Sequence, residues 1–514
     1  MTHRPRRRPL RLRRLVLAPA LVWSLVAAGC VAEGGEPDDA AASSVDDGGG
    51  DQPRASAENG ADADGDGDGA EADGDGVDGE GPAMGAEFVL DTADGAALVP
   101  GMPDTPAGRV AGAIVAGAVR GTLTVDEVAG ALSPRFEPPV APGSLQTSLG
   151  QLPGLLSPSP VVIDVFVDTD FAIGGTLLNP TDDSEWPFTV GVELDEPHRL
   201  LSFAIVPSPP EVDAGDLDRA EVEAAWADLA GRTDLTVTEL GADGAAACPT
   251  GGEALAVGST FKLYVLGAVA TAVDAGTVAW DDDLTLVEEH YSLPSGLLQQ
   301  EEPGAILTVE AAAELMLGIS DNTATDHLLA LVGREAVEAE QASMGHTDAS
   351  LNQPFFTTRE LFQLKLGDPD RLELMAEADE DERRAILDQL ASEPLPTFTP
   401  GDFTEPTAID VEWLASVGDL CRAIVDLDRR AAAHPAVGAA IGAGTGIAVD
   451  GGLWADVAFK GGSEPGVLNA TWLLTHVDGR RYVVSATAND EDDVIDGAEA
   501  FALLERLIDL LAEG

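Results

Sequence analysis

A serine and a lysine stand three residues apart at the start of an apolar segment, VGSTFKLYVLGAVATAV over 257–273. The pattern predicts a helix with Ser259 in its first turn and Lys262 one turn later on the same face. A serine hydroxyl becomes a good nucleophile when a neighbouring base removes its proton. A lysine amine is that base when burial and nearby cations lower its pKa. The pair indicates acyl transfer; a capping serine followed by a surface lysine is the structural alternative.

A second polar cluster lies in LGISDNTATDHLL over 317–329, directly before another helical pattern. The hydroxyl of Ser320 is suited to pass a proton to a leaving group, and the amide of Asn322 to hold a substrate amide. Ser, Asp and Asn are also the preferred residues at helix N-termini. Taken alone, this cluster is therefore better explained by helix capping.

A third cluster is Lys460-Gly-Gly-Ser463 within VAFKGGSEPGVLNATWLL over 457–474, at the end of a predicted strand. Glycines at this place, Gly462 among them, let a substrate backbone lie along an exposed strand edge. Lys460 would supply a cation for a substrate carboxylate. A glycine turn in a β-hairpin is the alternative for this cluster.

The three clusters in this order resemble the signature of the penicillin-recognising serine hydrolases, in particular the class A β-lactamases. The resemblance covers roughly residues 235–514 and implies that Ser259 is acylated, with Lys262 as general base and Ser320 as proton relay. SLPSGLLQ (292–299) and SDNTATDHLL are also similar to a narrower group, the two-domain actinobacterial hydrolases like that of the clavulanic-acid gene cluster. The activity implied is hydrolysis of a β-lactam, an ester or a related small acyl substrate.

The same resemblance assigns the substrate-binding residues. Asn322 contacts the substrate's amide side chain, and Lys460 attracts its carboxylate. Gly462 and Ser463 lie along the substrate, and the backbone N–H groups of Ser259 and Ser463 form an oxyanion hole.

This sequence departs from the family pattern at two places. Gly461 stands where the third motif usually has a hydroxyl residue. GHTDASLNQ (345–353) lacks the Glu-x-x-x-Asn whose glutamate activates the deacylating water, and Glu360 is poorly placed as a substitute. An alternative function therefore stays open: a penicillin-binding or sensing lipoprotein that acylates or binds without efficient turnover. We expect the acidic insertion, roughly 367–410, to be a surface loop rather than a lid.

The elements around these motifs predict an α+β fold with two folded domains. Residues 84–208 show two helical patterns followed by four strand-like runs, and the resemblance implies a steroid-isomerase-like α+β cone for them. Residues 217–514 begin with a helix and a strand and end with three strands and a helix. This pattern fits a β-lactamase or transpeptidase-like domain, an antiparallel sheet plus an all-helical region.

The first thirty residues have the composition of an export signal. Residues 1–14 are rich in arginine, 15–28 are apolar, and Cys30 follows Ala-Ala-Gly as in a bacterial lipobox. Residues 31–83 are an acidic Gly/Asp-rich segment that cannot bury enough apolar surface to fold, and they form a disordered linker. We expect an exported protein that is lipid-anchored at Cys30 on the outer face of the cytoplasmic membrane.

Charge and cysteine content exclude several classes of function. With 28 Lys+Arg against 91 Asp+Glu the formal charge is −63, which opposes binding to nucleic acid. The histidines show no metal-ligand spacing, so neither a metal nor another cofactor is expected. Cys248 and Cys421 form either one disulfide or two separate buried thiols.

Overall fold

The computed structural model describes residues 90–156, 159–206, 214–241, 244–399 and 403–513. The predicted signal peptide, Cys30 and the whole of the predicted acidic linker, 31–83, lie outside these residues. In the part of the chain that is described, no helix combines the length and the apolar character that crossing a bilayer requires.

The first domain places helices before an antiparallel meander. Its helices are α1 (Pro106–Arg120), α2 (Val125–Ala131), α3 (Pro142–Leu149) and α4 (Leu152–Leu155). Its strands pair in chain order as β1 (Val161–Asp168), β2 (Ala172–Leu178), β3 (Glu185–Val192) and β4 (Leu200–Ile205). The helix-then-strand order agrees with the sequence pattern, while the assignment to the steroid-isomerase-like class stays a prediction.

Local sequence signals explain where the first long helix begins and ends. The hydroxyl of Thr105 accepts a hydrogen bond from the backbone N–H of Gly108, and Pro106 occupies the first helical position. Gly121 ends the helix with a φ of 66°, a left-handed conformation that glycine adopts without strain. The apolar face of α1 packs on β2 and β3 to form the core of this domain.

The second domain contains a four-stranded antiparallel sheet built from both ends of its sequence. The strand order is β10 (Trp454–Glu464), β11 (Val467–His476), β12 (Arg481–Asn489) and β5 (Arg232–Glu239). Side chains alternate between the two faces, as the period of a strand requires. Leu473 and Val483 join the core of the helical region, whereas Trp472 and Val484 pack with the first and last helices of the domain.

The remaining elements lie mainly in the helical region. The helices of this domain are α5 (Arg219–Ala227), α6 (Lys262–Asp274), α7 (Val309–Gly318), α8 (Asn322–Val332), α9 (Arg334–Ser343), α10 (Thr358–Lys365), α11 (Pro369–Glu377), α12 (Glu380–Leu390), α13 (Val417–Ala431), α14 (Pro435–Gly442) and α15 (Gly497–Glu513). Its short strands are β6 (Leu255–Ala256), β7 (Asp283–Thr285), β8 (Ile306–Thr308) and β9 (Leu414–Ala415).

The acidic insertion is folded, so the expectation of a surface loop was wrong. It contains α11 and α12, whose apolar residues Leu372, Met375 and Leu387 join the main core of the domain. The chain that follows these helices runs beside the cleft described below. The acidic composition suggested a loop, but the acidic residues lie on the solvent-facing sides of both helices.

Two sets of contacts hold distant parts of the chain together. A disulfide joins Cys248 to Cys421, which decides between the two alternatives for these cysteines. The two domains touch where the backbone N–H of Thr445 donates to Phe166 O at 3.0 Å. They also touch where Arg135 forms an ion pair with Glu301 at 2.6 Å.

Candidate active site

Ser259 lies in a tight 3-10 turn, Gly258–Phe261, that leads directly into α6. The α-helix itself begins at Lys262, one turn later than the sequence pattern predicted. Gly258 has a φ of 49°, which a residue with a side chain adopts only under strain. A Cβ atom on Gly462 would lie 2.4 Å from the backbone nitrogen of Ser259, so this glycine lets β10 press against the turn.

Lys262 is fully buried behind the nucleophile and is held by the second motif. Its Nζ donates to the backbone oxygen of Ser320 at 2.6 Å, to Ser320 Oγ at 3.0 Å and to Asn322 Oδ1 at 2.7 Å. Burial lowers the pKa of Lys262 to about 7, although the carboxylates of Asp321 and Asp326 oppose this shift. A substantial fraction of the side chain is therefore the neutral amine near neutral pH, as a general base requires.

Ser320 connects the two lysines of the three motifs. Its Oγ accepts hydrogen bonds from Lys262 Nζ and from Lys460 Nζ, each at 3.0 Å. Its backbone has a φ of 59°, a costly conformation for a residue other than glycine. Hydrogen bonds from Lys262 and from Ser295 Oγ to the Ser320 backbone oxygen, both 2.6 Å, hold the residue in place.

Asp321 fixes this segment to the loop before it. Its Oδ1 accepts from the backbone N–H of Ala324 and caps α8, and its Oδ2 accepts from the N–H groups of Leu297 and Leu298. The capping alternative for the second motif thus applies to Asp321. Ser320 and Asn322 instead point their side chains at Lys262.

Lys460 lies behind Ser320 and not on the wall of the cleft. It is 3% exposed, and its Nζ also donates to the backbone oxygen of Gly461 at 2.7 Å. Burial and the nearby charge of Lys262 hold its pKa well below the ordinary value for lysine. In this position Lys460 contacts Ser320, whereas the sequence had predicted that it contacts a substrate carboxylate.

Ser259 opens into a cleft of about 440 Å³ at the junction of the sheet and the helical region. The wall brings together residues from all three motifs and from the acidic insertion. It is lined by Gly258, Ser259, Phe261, Pro294, Ser295, Ser320, Asn322, Thr358, Leu361, Phe362, Phe398, Phe403, Thr404, Glu412, Trp413, Ser463, Glu464, Pro465, Val467, Leu468, Val494, Ile495 and Gly497. Ser463 shares the wall with Ser259, whereas Gly462 packs behind it against the nucleophile turn.

The sequence analysis missed Glu412, a buried carboxyl on the wall of the cleft. Its Oε2 atom has no hydrogen-bond partner among the described residues. Burial and the nearby carboxyl of Glu464 raise its pKa well above the ordinary value, although the ammonium of Lys365 opposes the shift. A buried carboxyl oxygen without a partner is costly unless a water or a ligand satisfies it.

The backbone next to Glu412 is attached to the nucleophile turn on both sides. Trp413 accepts a hydrogen bond from the N–H of Val257 at 3.0 Å. The rings of Trp413 and Phe261 stack with their centroids 3.6 Å apart. The position of Glu412 relative to Ser259 is therefore fixed by contacts immediately before and after the serine. The only sequence signal was a single acidic residue between apolar ones, in DVEWLAS.

Comparison with protein families gives one match. Residues 219–403 match the model of the beta-lactamase enzyme family. This segment is β-lactamase-like. The match includes Ser259, Lys262, Ser320 and Asn322, and it supports a serine hydrolase of the β-lactamase type.

Solved structures similar to the β-lactamase-like domain include bacterial β-lactamases. The chain is 24% identical to the β-lactamase of Sphaerobacter thermophilus, covering 58% of this chain and 98% of that one with a TM-score of 0.41. It is 20% identical to the β-lactamase of Desulfarculus baarsii, covering 58% and 98% with a TM-score of 0.38. It is 17% identical to PBP-A, covering 59% and 97% with a TM-score of 0.37. No curated protein sequence matches the chain.

Proposed function

We propose that the protein hydrolyses a β-lactam, an ester or a related acyl substrate through an acyl-enzyme on Ser259. The observation that carries the proposal is the contact of Lys262 Nζ with both Ser320 and Asn322, at the start of the helix that follows the Ser259 turn. A buried amine with a pKa of about 7 at this place is a suitable proton acceptor for the serine.

In the acylation step, the neutral amine of Lys262 takes the proton of Ser259 Oγ. The oxygen attacks the substrate carbonyl, and the backbone N–H groups of Ser259 and Ser463 stabilise the oxyanion. The bond to the leaving group then breaks, and Ser320 passes a proton from the lysine pair to the departing atom. Ser320 is suited to this relay because both lysines donate to its hydroxyl.

We assign the deacylation step to Glu412. In its ionised form, which the raised pKa makes both less populated near neutral pH and more basic, the carboxylate of Glu412 takes a proton from a water molecule, whose oxygen attacks the acyl carbon. The bond from carbon to Ser259 Oγ breaks as the acid product forms, and Glu412 gives the proton to Oγ, which restores the free serine and the carboxylate. The supporting observations are that Glu412 lines the same cleft and that its Oε2 atom lacks a partner. Glu360 cannot fill the role because its carboxylate is paired with Arg334 and accepts a hydrogen bond from the backbone N–H of Thr357, the residue that caps α10.

Hydrolysis of 4-nitrophenyl phenylacetate and of a penicillin by purified protein tests the proposal. We expect Ser259→Ala to reduce kcat/KM by about 10³-fold or more for every substrate that the wild-type protein turns over. Ser392→Ala, a change at an exposed serine two residues after the end of α12, is the matched control, and we expect it to retain full activity. Equal activity of wild type and Ser259→Ala would refute the assignment of the nucleophile.

Binding without turnover remains the second candidate, because the Glu-x-x-x-Asn sequence is absent. The two candidates differ in the fate of the acyl-enzyme. A fluorescent penicillin that labels the protein and is released favours the hydrolase. A label that persists, together with no ester turnover, favours a penicillin-binding sensor.

We further propose that the protein is exported and attached to the membrane by a lipid on Cys30. The arginine-rich start, the apolar segment and the Ala-Ala-Gly-Cys sequence support this proposal. Expression of the full chain in a bacterial host with labelled palmitate tests it. We expect lipid label and membrane recovery for wild type and loss of both for Cys30→Ser.

A further inference from the structure

Three buried charged side chains lie close together beside the cleft, where α10 and β10 both end. Lys365 is the last residue of α10, and its Nζ donates to Oε1 of Glu464, the last residue of β10. The side chain of Lys365 has no exposed surface, and that of Glu464 is 8% exposed. Glu412 is 4% exposed and lines the cleft together with Glu464. One ammonium therefore lies among two buried carboxyls and pairs with Glu464.

The two members of this ion pair act on Glu412 in opposite directions. Burial and the charge of Glu464 raise the pKa of Glu412, whereas the ammonium of Lys365 opposes the rise. Burial also raises the pKa of Glu464, and Lys365 again opposes it. Without a cation, a carboxyl buried beside another carboxyl stays protonated at neutral pH and cannot take a proton from water. The lysine is therefore the charge that gives Glu412 access to its ionised form.

The other charged groups on this side of the domain are at least partly exposed. Glu412 borders a second cavity of about 280 Å³, whose charged wall residues are Glu380, Arg383 and Asp410. Glu380 and Asp410 are exposed and pair with arginines, so solvent screens their charges. Arg383 of α12 is partly exposed. The buried ion pair therefore supplies the main charges that act on Glu412.

We propose that Lys365 and Glu464 act through Glu412 as positioning residues for deacylation, because their opposed charges set how much of this carboxyl is available as a base. The inference rests on the proposed function, since it concerns the deacylation step assigned to Glu412. It adds a regulation of that step: a pair outside the reacting atoms sets the pH at which the acyl group is released. A purely structural pair would join the end of α10 to the end of β10 without setting that pH.

Two variants separate the two charges. Glu464→Gln removes the anion and leaves the ammonium of Lys365 to act on Glu412 alone. We expect the inflection in the pH dependence of deacylation to move to lower pH by about one unit or more. Adding Lys365→Met removes the cation as well, and we expect the inflection to move back to higher pH by about one unit or more. The double variant replaces a buried ion pair by neutral side chains of similar size, a change that often leaves stability unaffected.

Hydrolysis of 4-nitrophenyl phenylacetate measures both steps. The nitrophenol burst reports acylation, and the steady-state rate that follows it reports release of the acyl group. We expect the inflection of the burst, which belongs to Lys262, to stay in place in both variants. Glu338→Gln is the matched control, since the side chain of Glu338 is also 8% exposed, pairs with Arg384 and does not line the cleft. We expect it to leave the inflection of deacylation unchanged.

The double variant also covers a failure of the single one. If the unpaired lysine prevents Glu464→Gln from folding, the double variant is compared with wild type. Its inflection should lie at lower pH, because Glu464 acts on Glu412 more strongly than Lys365 does. An unchanged inflection in that comparison overturns the inference.

The remaining outcomes separate this inference from the proposed function. An inflection of deacylation that does not move in Glu464→Gln, or that moves equally in Glu338→Gln, overturns the inference while a Ser259-dependent burst with release still supports the hydrolase. The same inflection in Glu464→Gln and in the double variant also overturns it, as does an equal shift of the burst. Absence of a Ser259-dependent burst, or a wild-type burst without release, overturns the proposed function and the inference together.

Discussion

At the scale of single residues, Lys262 connects the sequence motifs of the site. Its three hydrogen bonds end on Ser320 and Asn322, so one buried amine organises two of the three sequence motifs. The partners are oxygen atoms of neutral groups. Lys262 donates to no carboxylate among the described residues, and burial has the largest effect on its pKa.

The pH dependence of acylation follows from the pKa of Lys262, which burial lowers to about 7. Below that pH the side chain is an ammonium ion and cannot accept a proton. Above it the neutral amine dominates. We therefore expect the acylation rate constant to rise with pH and to level off above an inflection near 7.

Stopped-flow measurement of the nitrophenol burst checks this expectation. The working range runs from pH 5 to pH 9, about four units around the pKa of Lys262. Lys262→Arg is the informative variant, because its guanidinium stays charged throughout the range. We expect it to lose the burst at every pH. A wild-type rate that is flat from acid to alkaline pH would contradict the role of Lys262 as base.

At the scale of elements, the start of α8 is the part that positions the site. Asp321 caps the helix and also holds the backbone of the 292–301 loop through Leu297 and Leu298. Gly296 is required beside it, since a Cβ there would lie 2.3 Å from Asp321 Oδ2. The loop and the helix start thus form one unit that places Ser295 and Ser320 on the cleft wall.

Removal of the Asp321 carboxylate should lower both the stability of the protein and its hydrolytic activity. Asp321→Ala leaves three backbone N–H groups without their acceptor, and we expect it to lower the free energy of unfolding by about 2 to 4 kcal/mol. Asp379→Ala removes an exposed cap at the start of α12 and should cost only about 1 kcal/mol with unchanged kcat/KM. Urea denaturation and ester hydrolysis measure both quantities. An Asp321→Ala protein with wild-type kcat/KM would show that the loop is not held by this residue.

The sequence allowed the three motifs to be predicted because each is short and lies at the start of a helix or near the end of a strand. Ser259 and Lys262 are one turn apart, and Lys460 to Ser463 are consecutive, so local spacing sufficed. Glu412, Phe398 and Phe403 carry no such pattern. Phe398 and Phe403 reach the cleft because the acidic insertion folds back along it. Glu412, which follows the insertion, is placed there by the contacts of Trp413 with the nucleophile turn. Both placements result from long-range packing.

At the scale of the whole molecule, the first domain supports the wall of the cleft. Arg135 contacts Glu193 at 2.9 Å in its own domain and Glu301 at 2.6 Å in the second. Glu301 also accepts a hydrogen bond from the backbone N–H of Leu194. The side chain of Glu301 is 4% exposed, so this contact holds the end of the 292–301 loop in a largely buried position.

Loss of the Arg135 cation should weaken the attachment of the first domain. Arg135→Met leaves Glu301 without its ion-pair partner, and we expect the free energy of unfolding to fall by about 2 kcal/mol. We also expect a lower kcat/KM, because Glu301 belongs to the loop that carries Ser295. Arg109→Met breaks an exposed pair with Asp104 and serves as the control, at about 0.5 kcal/mol or less. Equal losses in the two variants would argue against support of the cleft by the first domain.

The most direct test of the account is the mass of the acyl-enzyme in a variant that cannot release it. Glu412→Gln should retain acylation and lose deacylation, because glutamine cannot take a proton from water. After mixing with 4-nitrophenyl phenylacetate, intact mass spectrometry should show a stable phenylacetyl adduct, and peptide mapping should place it on Ser259. Glu360→Gln is the matched control and should release the adduct as wild type does. An adduct on another residue, or no adduct in Glu412→Gln while the ester is still consumed, would contradict the mechanism.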